Sequence, residues 1–205
     1  MKLCLATHNQ NKVIELRSLL SDHPDVEILT FNDLDITDEP EENEPTFEGN
    51  ARLKALWAAQ QTGLIALADD SGLEIDALNK EPGVYSARYL GKDTPYPEKN
   101  EIILDRLKNI SDRSARFISV VAIAFPQGSK PHLENTDIIC CEGIMEGHIA
   151  YAQKGSNGFG YDPIFIPSGF NETYAQMSTL DKNKVSHRGQ AFRSAVKILI
   201  GKGKL

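Results

Sequence analysis

The sequence has no apolar stretch approaching the ~20 residues that a membrane-crossing helix needs, and its 205 residues carry more acid than base. The excess, 29 Asp and Glu against 22 Lys and Arg for a net charge of −7, argues against a broad phosphate-neutralising face for polymeric nucleic acid. It still leaves room for a local basic pocket around a small polyphosphate. Cysteine is scarce: Cys4, Cys140 and Cys141 form an odd set with no metal-ligand spacing. They are expected to be reduced core residues of a cytoplasmic protein. The histidines are scattered and make no HxxxH pair, which argues against zinc. The chain opens Met1-Lys2-Leu3-Cys4-Leu5-Ala6-Thr7 and turns polar at once, so no secretory leader is expected. Internal repeats, low-complexity tracts and flexible linkers are missing too, and residues 1–205 are expected to form a single domain.

At 40% hydrophobic residues the chain is long enough to bury a sizeable core. Lys2–Ala6 and Val26–Thr30 read as strands. Thr7, His8 and Asn9 read as a turn and cap before a helix carrying Val13, Leu16 and Leu20 on one face. Residues 38–48 hold six acids and two prolines, the composition of an exposed loop. A helix is expected from about Thr46, with Phe47, Ala51, Ala55 and Ala58 at helical spacing and Gly63 to end it. Leu64–Ala68 reads as a short buried strand stopped by Asp69. Pro95–Ile110 reads as a helix, and 116–126 with 134–145 as a long hairpin. The last helix starts near Ser186, with Phe192, Ala195, Val196, Leu199 and Ile200 towards the core. Early alternation of strands and helices, then a β-rich middle, predicts an α/β fold with a mixed sheet.

Five segments are candidates for chemistry. Thr7-His8-Asn9-Gln10-Asn11-Lys12 follows the first strand, where free backbone N–H groups and a helix N-terminus favour an anion. It has neither a GxxxxGK[ST] P-loop nor a GxGxxG, and taken alone it reads as an ordinary helix start. Glu41 and Glu42 in the acidic loop are within the vocabulary of divalent cations, although charge runs are more often solvated. Behind them Asn50 and Lys54 share a helix face. Asp69, Asp70 and Ser71 are expected at the carboxyl edge of a strand, where α/β sheets gather ligands. Hard oxygens there suit Mg²⁺, while the alternative is an Asx-turn with Gly72 in an unusual dihedral; the residues alone leave the two even. Gly155–Pro163, "GSNGFGYDP", combines close-approach glycines with aromatic rings fit for base stacking, or a tight turn over core aromatics. In Asp181–Ala191, Ser186 is a good N-cap, so His187 and Arg188 fall in the first helical turn, where positive charge opposes the helix dipole. A local rule broken without visible structural gain points to a ligand.

These stretches, "LATHNQNKVIEL", "TFEGNARLKA", "ADDSGLEIDAL", "PGVYSARYLG", "GFGYDPIF" and "SHRGQAF", resemble in this order the inosine triphosphate pyrophosphatase family, from residue 5 to residue 192. The resemblance implies an α/β fold with a long, mixed, twisted central sheet, flanking helices and two lobes around a cleft. It also implies a cytoplasmic homodimer that uses Mg²⁺ and hydrolyses deaminated purine nucleoside triphosphates to the monophosphate and pyrophosphate. By match to the family's motifs, Thr7, His8, Asn9, Gln10, Asn11 and Lys12 would form the phosphate-binding turn and Lys54 would lie near the triphosphate. Glu42 and Asp70 would be the metal-associated carboxylates, Asp70 the general base and Ser71 a substrate contact. Phe159, Gly160, Tyr161 and Asp162 would form the nucleobase loop, and Lys182, His187 and Arg188 would be further substrate contacts. The chain departs from the pattern at His8, where glycine is common, and at Gln176, where an acid is common. The rival expectations are a nucleotide-binding regulatory module without catalysis, and an enzyme of this fold with another nucleotide preference.

Overall fold

A computed structural model describes residues 1–21, 23, 26–126 and 138–203 of the chain. The described residues form six strands and five helices. In chain order they are β1 (Lys2–Leu5), α1 (Gln10–Leu19), β2 (Glu27–Thr30), α2 (Phe47–Thr62), β3 (Ile65–Ile75), α3 (Tyr96–Arg106), β4 (Ser114–Ala124), β5 (Ile138–Ile149), β6 (Phe165–Pro167), α4 (Thr179–Val185) and α5 (His187–Gly201). One sheet holds all six strands in the order β2-β1-β3-β4-β5-β6. The first three are parallel and the last four antiparallel, so β3 belongs to both halves. This is the mixed α/β sheet expected.

The helix starts follow from their caps. Asn9 accepts from the N–H groups of Asn11 and Lys12 to open α1, Thr46 accepts from Gly49 to open α2, and Ser186 accepts from Gly189 to open α5, each satisfying an N–H without an intrahelical partner. The buried face of α2 is mostly alanine: Ala51, Ala55, Ala58 and Ala59 pack with Ala66 and Ala68 of β3 and Ala122 and Ala124 of β4. Small side chains on both surfaces let the helix lie close to the sheet. On the other face, Val13 and Leu16 of α1 and Phe192, Ala195 and Leu199 of α5 pack on Leu3, Leu5, Leu67, Val121 and Ile123. A third cluster around Leu73, Ile103, Phe117, Phe165 and Tyr174 supports the far end of the sheet.

Three expectations change. The strand that opens near residue 64 does not stop at Asp69 but runs to Ile75, pairing antiparallel with β4 along ten registered positions. No Asx-turn forms, and Gly72 sits in regular strand. Its need is space: a Cβ there would lie 2.4 Å from the Gly83 carbonyl and 2.5 Å from Ser86 Oγ. The third helix ends at Arg106 rather than Ile110, and Ile200 is 45% exposed instead of facing the core. The β4–β5 hairpin forms with Ser114 opposite His148 and Ala124 opposite Ile138; its connecting turn and residues 134–137 lie outside the described residues.

Candidate active site

Side chains of β3 alternate between faces, and its acids follow that rule. Leu67, Asp69 and Ser71 face α1 and α5, whereas Ala66, Ala68 and Asp70 face α2. β1 pairs with β3 only as far as Leu5 opposite Leu67, and the chain then turns away through Thr7–Asn9. The Asp69 carbonyl therefore lies beyond the end of β1, where it accepts from Lys12 Nζ at 3.2 Å and Lys54 Nζ at 2.9 Å. The acids thus sit past the carboxyl end of the parallel half, as an edge reading expects, but inside a continuing strand.

A cleft of about 1080 Å³ opens at this point. Thr7, His8, Asn9 and Lys12 of the first turn line it, with Glu42, Lys54, Asp70 and Ser71, and with Phe159, Gly160, Tyr161, Asp162, Lys182, His187 and Arg188. Gln10 and Asn11 are exposed and do not line it. Asp69 is buried behind it, holding Lys12 at 2.7 Å and Arg188 Nε at 3.1 Å. Burial opposes the charge on Asp69, but Lys12, Arg188 and Lys54 outweigh it and hold the carboxyl well below its usual range.

On the α2 face, Lys54 Nζ bridges Glu42 Oε1 at 2.5 Å and Asp70 Oδ1 at 3.4 Å. Asn50 donates to Asp70 Oδ2 at 3.1 Å. Burial pushes Asp70 above its ordinary value, against the pull of Lys54 and Lys12, and the neighbouring Glu42 adds to the rise. Burial works the other way on Lys54, and Asp70, Glu42 and Asp69 overcome it to raise its pKa. That one ammonium touches both carboxylates shows that Glu42 and Asp70 can converge on a single cation. Among the described residues no third acid, His or Cys joins them. Two carboxylates fit Mg²⁺, which keeps several waters and takes substrate phosphates as its remaining ligands.

At the far end, Arg188 is fixed by three acceptors: Asp69 on Nε, Glu15 on Nη1 at 2.6 Å and Ser71 Oγ on Nη2 at 2.7 Å. A guanidinium carries five N–H donors, so one remains on each terminal nitrogen. Lys182 is held between Glu15 at 2.8 Å and Asp162 at 2.6 Å. Asp162 also accepts from the Phe159 N–H at 2.8 Å and so shapes the loop. A Cβ on Gly158, at φ +69°, would lie 2.1 Å from the Asp162 carboxylate. Phe159 packs 5.0 Å from Lys182 Nζ and 5.3 Å from the Arg188 guanidinium. Tyr161 is buried, edge-on to Tyr96, with its hydroxyl donating to the Ser86 carbonyl, so of the two readings of this loop its ring follows the core-aromatic one. His187 lies flat against Phe117, 4.6 Å between centroids. Burial, then Arg188 and Lys182, lower its pKa well below that of a free imidazole. The first turn of α5 therefore carries one charge rather than two, and two buried acids offset it.

At the turn after β1, the His8 N–H donates to Glu39 Oε1 at 3.2 Å and the His8 ring meets Asn32 Oδ1 at 2.9 Å. An anionic oxygen thus already sits on this backbone donor. Gln176 forms a capping box with Thr173, away from the cleft lining. Two residues that matter here lie in quoted stretches but were given no role there. Glu15 meets partners more than 160 residues away, and a lone acid beside the apolar face of α1 gives no sign of that. Arg88, within the quoted "PGVYSARYLG", lines the cleft and contacts Glu42.

This architecture recurs in other proteins. The described model of the Ham1 family matches residues 3–198. A dITP/XTP pyrophosphatase of Elusimicrobium minutum is 44% identical over 96% of this chain and 98% of its own length, and one of Christiangramia forsetii is 41% identical over 97% and 99%. The solved Ham1 protein of Staphylococcus aureus superposes with a TM-score of 0.84 at 36% identity, covering 98% of this chain and all of that one. A HAM1 protein of Coxiella burnetii gives 0.84 at 40%, covering 98% and 99%. The resemblance read from six motifs therefore extends over nearly the whole chain in both sequence and fold, and the chain belongs to the Ham1 family.

Proposed function

We propose that the protein is a Mg²⁺-dependent nucleoside-triphosphate pyrophosphatase that hydrolyses inosine, deoxyinosine and xanthosine triphosphates to the monophosphate and pyrophosphate, clearing deaminated purines from the nucleotide pool. The dITP/XTP pyrophosphatase activity for which its relatives are named supports this reading. The observation that carries it is the Lys54 ammonium spanning Glu42 and Asp70 in a cleft that Lys12, Lys182 and Arg188 also line.

In this reading the triphosphate lies along Thr7–Asn9, Lys12 and Lys54, which neutralise its charge and fix the α-phosphorus near Asp70. Asp70 takes a proton from a water, the water oxygen bonds to the α-phosphorus, and the bond from that phosphorus to the bridging oxygen breaks. Pyrophosphate leaves with the electron pair. Glu42 and Asp70 would hold Mg²⁺, which would supply charge neutralisation on the phosphate oxygens. Arg188 presents its two spare N–H groups to the base. An arginine has donors only, so it suits the 6-keto oxygen of hypoxanthine or xanthine and leaves the amino group of adenine unpaired.

Pyrophosphate release from inosine triphosphate is expected with Mg²⁺ and is expected to vanish with chelator. Nucleotide binding without release in both conditions selects the non-catalytic module instead. The same assay with inosine, xanthosine, guanosine and thymidine triphosphates is expected to rank the first two highest, and a preference for thymidine triphosphate overturns the base assignment. The Asp70 carboxyl is tested separately in the metal-free protein. Burial raises its pKa there, so its carboxyl resonance, followed by NMR without Mg²⁺, is expected to titrate above the ordinary aspartate value of about 4, and added Mg²⁺ is expected to lower that pKa. A titration that Mg²⁺ leaves unmoved removes Asp70 from the metal site.

A further inference from the structure

Glu42 lies in a segment without regular secondary structure, residues 36–46, yet it must meet Asp70 of a rigid strand. Glu42 lacks the helix or strand that fixes a carboxylate. Arg88 supplies the restraint: its Nη2 donates to the Glu42 carbonyl at 3.0 Å and its Nη1 to Glu42 Oε2 at 3.4 Å. Main chain and carboxylate of one residue are thus gripped by one planar fork, leaving Oε1 for Lys54.

Arg88 is itself well seated. Its guanidinium packs over the Tyr85 ring at 4.8 Å. The segment before it is tied to β3, with Leu73 N–H donating to Ser86 Oγ at 2.9 Å and Ser86 Oγ donating to the Gly83 carbonyl at 2.6 Å. Tyr161 hydroxyl holds the Ser86 carbonyl and Lys99 Nζ holds the Ala87 carbonyl at 3.0 Å. Gly72 permits the close approach, since any side chain there would strike Gly83 and Ser86.

We propose that Arg88 is the positioning residue for Glu42, fixing the carboxylate so that Oε1, the oxygen that meets Lys54, is aimed to ligate a divalent cation together with Asp70. This rests on the pyrophosphatase reading above. A planar fork holds a carbonyl and a carboxylate in a fixed mutual geometry, whereas the rotatable ammonium of lysine imposes no such angle between them. Partners that orient a metal-binding group typically contribute 10–100-fold in metal affinity.

The test compares wild type, Arg88→Gln and Arg88→Lys as full-length chains. Mn²⁺ binding without nucleotide is read by electron paramagnetic resonance, and Mg²⁺ dependence by pyrophosphate release. Arg88→Gln is expected to weaken Mn²⁺ binding and raise the half-saturating Mg²⁺ concentration about tenfold or more, with KM at saturating Mg²⁺ within about twofold. Arg88→Lys, which keeps a positive charge and a long stem, is expected to recover less than half of that loss and serves if the glutamine variant does not fold. On a Glu42→Gln background, Arg88→Gln is expected to add nothing further. Unchanged metal binding, an additive double variant, or a raised KM with intact metal dependence overturns the proposal; the last would make Arg88 a nucleotide contact. A wild type that releases no pyrophosphate defeats the functional reading instead, and the Mn²⁺ measurement still decides the role of Arg88.

Discussion

Asp70→Asn is expected to lower kcat for inosine triphosphate by about 10³-fold, within the 10²–10⁴ that a positioned base contributes, while the nucleotide still binds. Asparagine keeps the size and one oxygen of aspartate but has no basic lone pair for the proton of the attacking water. The neighbours that position it, Asn50 and Lys54, stay in place. The folded-state pKa of Asp70 is raised, so its ionised form favours the unfolded chain: its contribution to stability is complete below the unfolded pKa and is lost as pH rises through the folded value. The asparagine variant is therefore expected to melt at or above the wild-type temperature at pH 7. Calorimetry beside nucleotide titration and turnover gives the three readings together. Wild-type turnover, or a variant that fails to bind nucleotide, removes Asp70 as the base.

The adjacent acid should give the opposite pattern. Asp69→Asn is expected to destabilise the fold by about 3–5 kcal/mol, the usual effect of removing one partner from a buried ion pair, and to lower activity through the site's cations. In the proposed reaction Asp69 carries no proton, but it anchors Lys12 and Arg188 from behind the cleft. Its folded pKa lies well below that of the unfolded chain. Its stabilisation is therefore present above about pH 4 and is lost as pH falls further through the folded value. The gap between wild type and Asp69→Asn in melting temperature should accordingly be widest near neutrality and narrow on acidification. A variant with wild-type melting and turnover at pH 7 contradicts the anchoring role.

The pair also shows what the amino-acid sequence could and could not convey. Helix starts were legible because caps are local: Asn9, Thr46 and Ser186 each bond to an N–H within three residues. The reach of β3 was not. Two adjacent acids are poor strand interiors, and only Lys12, Lys54 and Arg188, brought in from three other elements, make them tolerable there. The unfavourable first turn of α5 was a sound pointer to the cleft, yet its compensation is partly internal, through Asp69 and Glu15. Glu15 and Arg88 escaped notice because their partners are distant in sequence. Most of the site is a set of charges that only tertiary structure pairs.

The alternation along β3 constrains how the protein can change in length. Inserting or deleting one residue between Ile65 and Ala68 turns every later side chain of the strand to the opposite face. Asp69 would then face α2 and Asp70 would face α1 and α5, exchanging the anchor and the proposed base between two unlike surroundings. A change of two residues restores the facing but shifts the acids along β4. Parity alone thus protects the assignment of the two carboxylates, and length changes in this chain should be confined to its loops.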